Sequence, residues 1–118
     1  MVLFTKSIQV KVSKKDGVRI CIMRSPGKYK HYDVWMRLLA PSSTLDAQVK
    51  KGMKWITFKK KFEKELKQNR YTLQLLAAIA KKQDVTLLGY GKEGASCHRS
   101  LVAEAVKKID SKVKMVAR

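Results

Sequence analysis

Acidic residues are scarce in this sequence. Nine Asp and Glu stand against 27 Lys and Arg in 118 residues, for a formal net charge of +18 and a pI near 10.2. A thermophile's ion-pair surface would raise both signs together, so that explanation fits poorly. Cysteine is nearly lacking: Cys21 and Cys97 lie far apart and form neither a disulfide framework nor a zinc knuckle. Free thiols in a reducing compartment are expected, and the expected location is cytoplasmic. With two histidines and no serine elbow, a hydrolase triad has no support. Long apolar runs are also missing. Leu73 to Ala80 is far shorter than the ~20 residues of a membrane span, and Met1 to Ser7 lacks the apolar core of a secretory signal. A soluble protein with no membrane contact is expected.

What is present suffices for one core. At 45% apolar residues the chain can fold as one α/β domain over residues 1–118, with no room for a second. Val18 to Met23 (VRICIM) lies between Asp16-Gly17 and Ser25-Pro26-Gly27 and reads as a buried strand. Val85-Thr86-Leu87-Leu88 reads as a parallel strand buried on both faces. Val2 to Thr5 and Ile8 to Val12 are weaker strand candidates, either of which could pair at an edge, and Lys112 to Ala117 is a candidate final strand. Tyr32, Trp35, Met36 and Leu39 recur at helical spacing before Pro41 and predict a helix with a buried stripe. A short helical turn is expected over Leu45 to Lys51.

Trp55, Phe58, Phe62 and Leu66 fall on one arc of a further helix, with Lys60, Lys61, Lys64 and Lys67 on the opposite side. Tyr71 to Lys82, apolar nearly all round, predicts a helix covered by protein, and Leu101 to Ile109 predicts a last amphipathic helix. Strands separated by helices imply an open, at least partly parallel sheet in a two-layer or three-layer sandwich. Ligands of such folds sit beyond the strands' C-terminal ends. The loops Arg24 to Lys30 and Gly89 to Arg99 meet that condition.

Gly89-Tyr90-Gly91-Lys92-Glu93-Gly94 matches the dinucleotide fingerprint G-x-G-x-x-G. Only 24 residues follow Gly94, and no acid ends the next strand, so a dinucleotide fold is rejected. A turn needing positive φ, with Gly91 and Gly94 letting a phosphate approach the backbone, remains. Cys97-His98-Arg99 stands where the last helix should begin. There a helix N-terminus and Arg99 would lower the Cys97 thiol pKa and make Cys97, His98 and Arg99 the candidate catalytic set. The alternative is a small residue packed under the loop. Arg24, leaving the first core strand, could join Arg99 in binding an anion, or pair with Asp33 or Glu93. A phosphatase loop is excluded, because the sixth residue after Cys97 is Ala103 and after Cys21 is Gly27. Cys21 reads as a buried inert thiol. A metal site from Cys21, Cys97, His31 and His98 lacks any recognised spacing, and neither a metal nor a cofactor is expected.

Several of these residues form a recognisable order. Arg24 after an apolar strand is followed by Tyr32-Asp33-Val34-Trp35-Met36-Arg37-Leu38-Leu39-Ala40-Pro41-Ser42, then by Trp55, Phe58, Phe62, Glu65 and Leu66, then by Val85-Thr86-Leu87-Leu88 and Cys97-His98-Arg99. From Thr5 to Lys107 this resembles the domain of unknown function 488 family. The resemblance implies a compact α/β domain and no particular reaction, substrate or cofactor. Arg24, Trp35, Cys97, His98 and Arg99 carry over as markers of a shared cleft. The chain departs from the pattern at Gly27-Lys28, where many members have a second arginine, and at Gly89 to Gly94, where members have a cysteine or acid.

Two functions follow from the residues. The leading expectation is a basic domain binding nucleic acid or a phosphorylated ligand, with Lys60, Lys61, Lys64 and Lys67 on the phosphate backbone and Arg24, Arg99, Gly91 and Gly94 on a bound anion. The alternative is a small thiol-dependent enzyme acting on an anionic substrate through Cys97. A solvated surface, or a structural subunit of a larger basic assembly, would carry the same charge.

Overall fold

The computed structural model describes residues 2–90 and 98–117. Among them are strands β1 (Val2–Ser7), β2 (Val18–Cys21), β3 (Val34–Trp35), β4 (Val85–Gly89) and β5 (Lys114–Ala117), and helices α1 (Ser43–Lys50), α2 (Trp55–Gln68), α3 (Arg70–Lys82) and α4 (His98–Ile109). Every strand pair is parallel, in the order β3-β2-β4-β1-β5, giving an open α/β sheet. Parallel neighbours need crossover connections rather than tight hairpins. Helices supply them between β3 and β4 and between β4 and β5.

The two apolar runs, β2 and β4, lie side by side, with Val18 opposite Val85 and Cys21 opposite Leu88. Alternate strand residues point to opposite faces. Leu3, Ile20, Ile22, Val85 and Leu87 join buried residues of all four helices in the main core, while Cys21, Met23, Leu88 and Ile8 form a smaller cluster with Tyr29 and Tyr32. Helices therefore cover one face and loops the other, which makes the sandwich two-layered.

Several sequence expectations need correction. β1 is not an edge strand but lies between β4 and β5, because its polar residues find partners under the loops rather than needing solvent. Ile8 to Val12 is not a strand: the chain turns after Ser7, and Val10 and Val12 are exposed with no partner strand to cover them. Tyr32 to Leu39 is not a helix. Val34–Trp35 pairs with β2, and Arg37–Leu39 makes one 3-10 turn that buries Met36 and Leu39. The helical spacing arose from two short elements in series. In α3 only one side is covered, with Tyr71 and Leu75 in solvent.

The loop face is held by charge. The Asp16 carboxylate, fully buried, accepts from Lys6 Nζ at 3.0 Å to both oxygens, from Arg19 Nη1 at 2.5 Å and from the Ser13 N–H at 3.0 Å. Lys6 also donates to the Lys11 carbonyl at 2.7 Å and Arg19 Nε to the His31 carbonyl at 2.6 Å. One carboxylate thus ties both loops to β1 and β2. Next to it Gly17 (φ 65°) packs so close that a Cβ would collide with the Asp84 carbonyl.

Burial alone would raise the Asp16 carboxyl pKa, but the Ser13 N–H, Lys6 and Arg19 outweigh it and hold the group below 3.8. A folded-state pKa below the unfolded one contributes stability that is complete above about pH 4 and is lost as pH falls through the folded value. Asp16→Asn leaves two cations buried without a counter-charge and is expected to cost about 3–5 kcal/mol. Urea unfolding at pH 7 should show the loss as a lower midpoint, and the variant's stability should no longer decline below pH 4 on account of this group.

Candidate functional site

The C-terminal ends of β2 and β4 meet where the Ile22 N–H donates to the Leu88 carbonyl at 3.1 Å. α4 begins against this edge. Its first residue, His98, contacts the Ile22 carbonyl through Nε2 at 2.8 Å. A carbonyl can only accept, so the proton is on Nε2 and Nδ1 carries the lone pair of the neutral ring. Burial pushes the His98 pKa below 6.5 and the Arg99 charge adds to this, while the Ile22 carbonyl and Asp46 oppose it. The ring is thus a neutral base and not a second cation beside Cys97.

Gly89 makes this docking possible. A Cβ there would lie 3.3 Å from Arg99 Cδ and 3.4 Å from His98 Cε1. Gly89 is not among the glycines with positive φ, so space and not backbone freedom explains it. Arg99 runs beneath the strand end, 1% exposed, and donates to the Tyr90 carbonyl at 3.2 Å.

A second corner faces this edge. The Ser42 hydroxyl caps α1 by accepting from the Leu45 N–H at 3.2 Å. The Glu65 carboxylate of α2 accepts from the Ser42 N–H at 2.9 Å and from its hydroxyl at 2.5 Å. This locks α1 across α2 and accounts for the Ala-Pro-Ser turn and Glu65 occurring together. Between α1, the start of α2 and the strand ends lies a cleft of about 320 Å³ lined by Pro41, Asp46, Val49, Met53, Trp55, Phe58, Tyr90 and His98.

The predicted residues distribute unevenly around it. His98 lines the cleft; Arg99 is buried behind it and Arg24 does not line it. Arg24 is half-buried, one residue past the Met23 carbonyl that accepts from Trp35 Nε1 at 2.7 Å, and it pairs with no described residue. Asp33, a suggested partner, instead accepts from the Arg19 N–H at 2.8 Å. The loops bearing Arg24 and Tyr90 do meet, with the Tyr29 and Tyr90 rings edge to face at 6.1 Å. Cys97, Gly91, Gly94 and Glu93 lie outside the described residues. Lys60, Lys61, Lys64 and Lys67 are all exposed along α2.

The sequence reading missed Asp46, Val49, Met53 and Tyr90, and it took Trp55 for core. The available signal was position: Trp55 ends the apolar arc of α2, just after the uncovered Gly52 turn.

The family model described as the active DUF488-N3 subclade, DUF488-N3a, matches residues 3–110. The chain belongs to the DUF488-N3a family. No curated protein and no solved structure matches it. The DUF488-N3a match covers every strand and helix described except β5 and the first residue of β1, so the cleft and both of its walls lie within it. Among the described residues of this DUF488-N3a chain, no helix is long and apolar enough to cross a membrane.

Two outcomes follow from the titratable groups. The His98 ring should titrate by NMR with a midpoint below 6.5. Its folded-state pKa lies below the unfolded one, so the folded protein binds fewer protons and loses stability as pH falls from about 6.5 to the folded value. His98→Gln should abolish that decline in urea midpoints. Burial likewise pushes the Cys21 thiol up, only partly offset by the Met23 N–H. Mass spectrometry after alkylation should therefore find Cys21 unmodified until the chain is unfolded.

Proposed function

We propose that this chain is a basic binding domain for nucleic acid or a phosphorylated ligand. The one-sided cation array of α1 and α2 carries the reading. Between Lys50 and Arg70 stand nine basic and two acidic residues. Both acids are taken up by other elements: Glu65 holds Ser42, and Glu63 Oε2 lies 3.8 Å from Lys108 Nζ of α4. Lys51, Lys54, Lys60, Lys64 and Lys67 are exposed and pair with no carboxylate among the described residues. Their field is therefore not cancelled locally, and a polyanion that they neutralise gains entropy by releasing its condensed counterions into solution.

Lysines meet phosphates as point charges, so this binding is steep in salt and indifferent to sequence. A salt titration with generic duplex should give a log–log slope that flattens by about 0.9 per lysine engaged, hence by up to about 3.6 when Lys60, Lys61, Lys64 and Lys67 are all changed to Gln. No binding at low salt, or binding indifferent to salt, would overturn the reading.

A second reading draws on a different observation. His98, at the cleft, is a neutral imidazole whose Nδ1 carries the lone pair, next in sequence to Cys97, and the matched subclade is described as active. A thiol-dependent enzyme with Cys97 as nucleophile would use such a base to take the thiol proton. It requires alkylation of Cys97 at a pH below the ordinary ~8.5 of a free thiol. Labelling of Cys97 no faster than that of a free cysteine would remove it.

A further inference from the structure

The cleft has a character that the surface lysines do not explain. Trp55 stacks on Phe58 at 5.3 Å and 24°, and Phe58 on Phe62 at 5.5 Å and 25°. Phe62 meets the His98 ring edge-on at 5.9 Å. The column runs from the core outward: Phe62 is fully buried, Phe58 6% exposed, and Trp55, at the cleft, 36% exposed. Rings fixed from behind in this way make a rigid platform, and every nucleobase has a face that stacks on one.

Charge decides which part of a ligand enters. Inside the cleft stand the neutral His98 and the Asp46 carboxylate, one oxygen of which already meets Lys50 Nζ at 3.3 Å. A phosphate finds no cation among the described lining residues, whereas a neutral heterocycle can donate an N–H to the other Asp46 oxygen and hydrogen-bond His98 or the Tyr90 hydroxyl. The cations are outside: Lys50, Lys51 and Lys54 are exposed and adjoin Val49, Met53 and Trp55, which line the cleft. At about 320 Å³ the space is near the lower end of the ~300–1,000 Å³ of small-molecule sites, enough for one planar group and not for a duplex.

We propose that this cleft takes a single unpaired nucleobase, laid on Trp55 with its edge toward Asp46 and His98 and its phosphate outside beside Lys51 and Lys54. The inference rests on the binding reading above and adds the class of ligand. The base can come from a free nucleotide or from a single strand.

Trp35→Phe leaves Trp55 as the sole tryptophan of the two in the chain. In that background, adenosine monophosphate and a single-stranded oligonucleotide should quench the fluorescence, and ribose phosphate should not. In the wild-type protein, a strand with abasic positions but the same phosphates should bind about 5- to 150-fold more weakly than the normal strand, the ~1–3 kcal/mol of one base on an aromatic face. Trp55→Leu should abolish that difference without altering the salt slope, and Trp55→Phe should retain it.

Quenching by the mononucleotide without oligonucleotide binding supports the base site and assigns the free nucleotide as its source. Equal, salt-sensitive binding of normal and abasic strands without quenching overturns the base site and leaves the polyanion reading standing. If neither nucleotides nor nucleic acids bind at low salt, both are overturned.

Discussion

Asp16 neutralises part of a charge that the fold cannot leave in water. All four helices pack on one face of the sheet, so the other face has only loops to cover it, and loops lack the regular hydrogen bonds that make burial cheap. The carboxylate answers this by binding Lys6 from β1, Arg19 from β2 and the Ser13 N–H at one point, while the Asp16 carbonyl accepts from Thr86 of β4 at 2.7 Å. Three adjacent strands and two loops are referred to a single residue. With that face closed, Cys21 and Leu88 can be buried on it, and the strand ends remain free to meet α4 and the α1–α2 corner.

That corner is built by a different economy of polar groups. Acids are few: on α2 both Glu63 and Glu65 are committed to contacts with other elements, and on α1 Asp46 pairs with Lys50 alone. The same Glu65 that fixes α1 therefore withholds its charge from the outer surface of α2. Structural order and outward positive potential come from one arrangement, and the cleft lies where the two meet: a carboxylate and a neutral imidazole inside, ammonium groups outside.

Elements whose signal is local were legible from sequence. The strands VRICIM and VTLL are apolar apart from Arg19 and Thr86, and α2 displays its 3.6-residue period openly. Tyr32 to Leu39 was misread because periodicity cannot tell one helix from a two-residue strand followed by a 3-10 turn when both bury residues at similar intervals. β1 was misplaced because nothing in the short run Val2 to Thr5 announces that the next residue, Lys6, will be buried on Asp16. The rule for open parallel sheets pointed to the loops at the strand ends, and the structure sets His98 against that edge. The opposite wall was not, since Asp46, Val49 and Trp55 become a surface only once Glu65 has bound Ser42 from 23 residues away. Arg99 reads in sequence as an exposed ligand-binding cation, whereas the structure gives it to the Tyr90 carbonyl.

Gly89 shows how closely this edge is gauged. With the Arg99 and His98 side chains 3.3 and 3.4 Å from where a Cβ would stand, the absent methyl sets the spacing between the last residue of β4 and the first turn of α4. Any side chain at that position would act as a shim. It would lift the helix by a few tenths of an ångström, slacken the His98 bond to Ile22 and tilt the ring that closes one end of the aromatic column. The smallest residue in the chain thus works as a ruler for its cleft, fixing by omission a distance that no flexible side chain could hold.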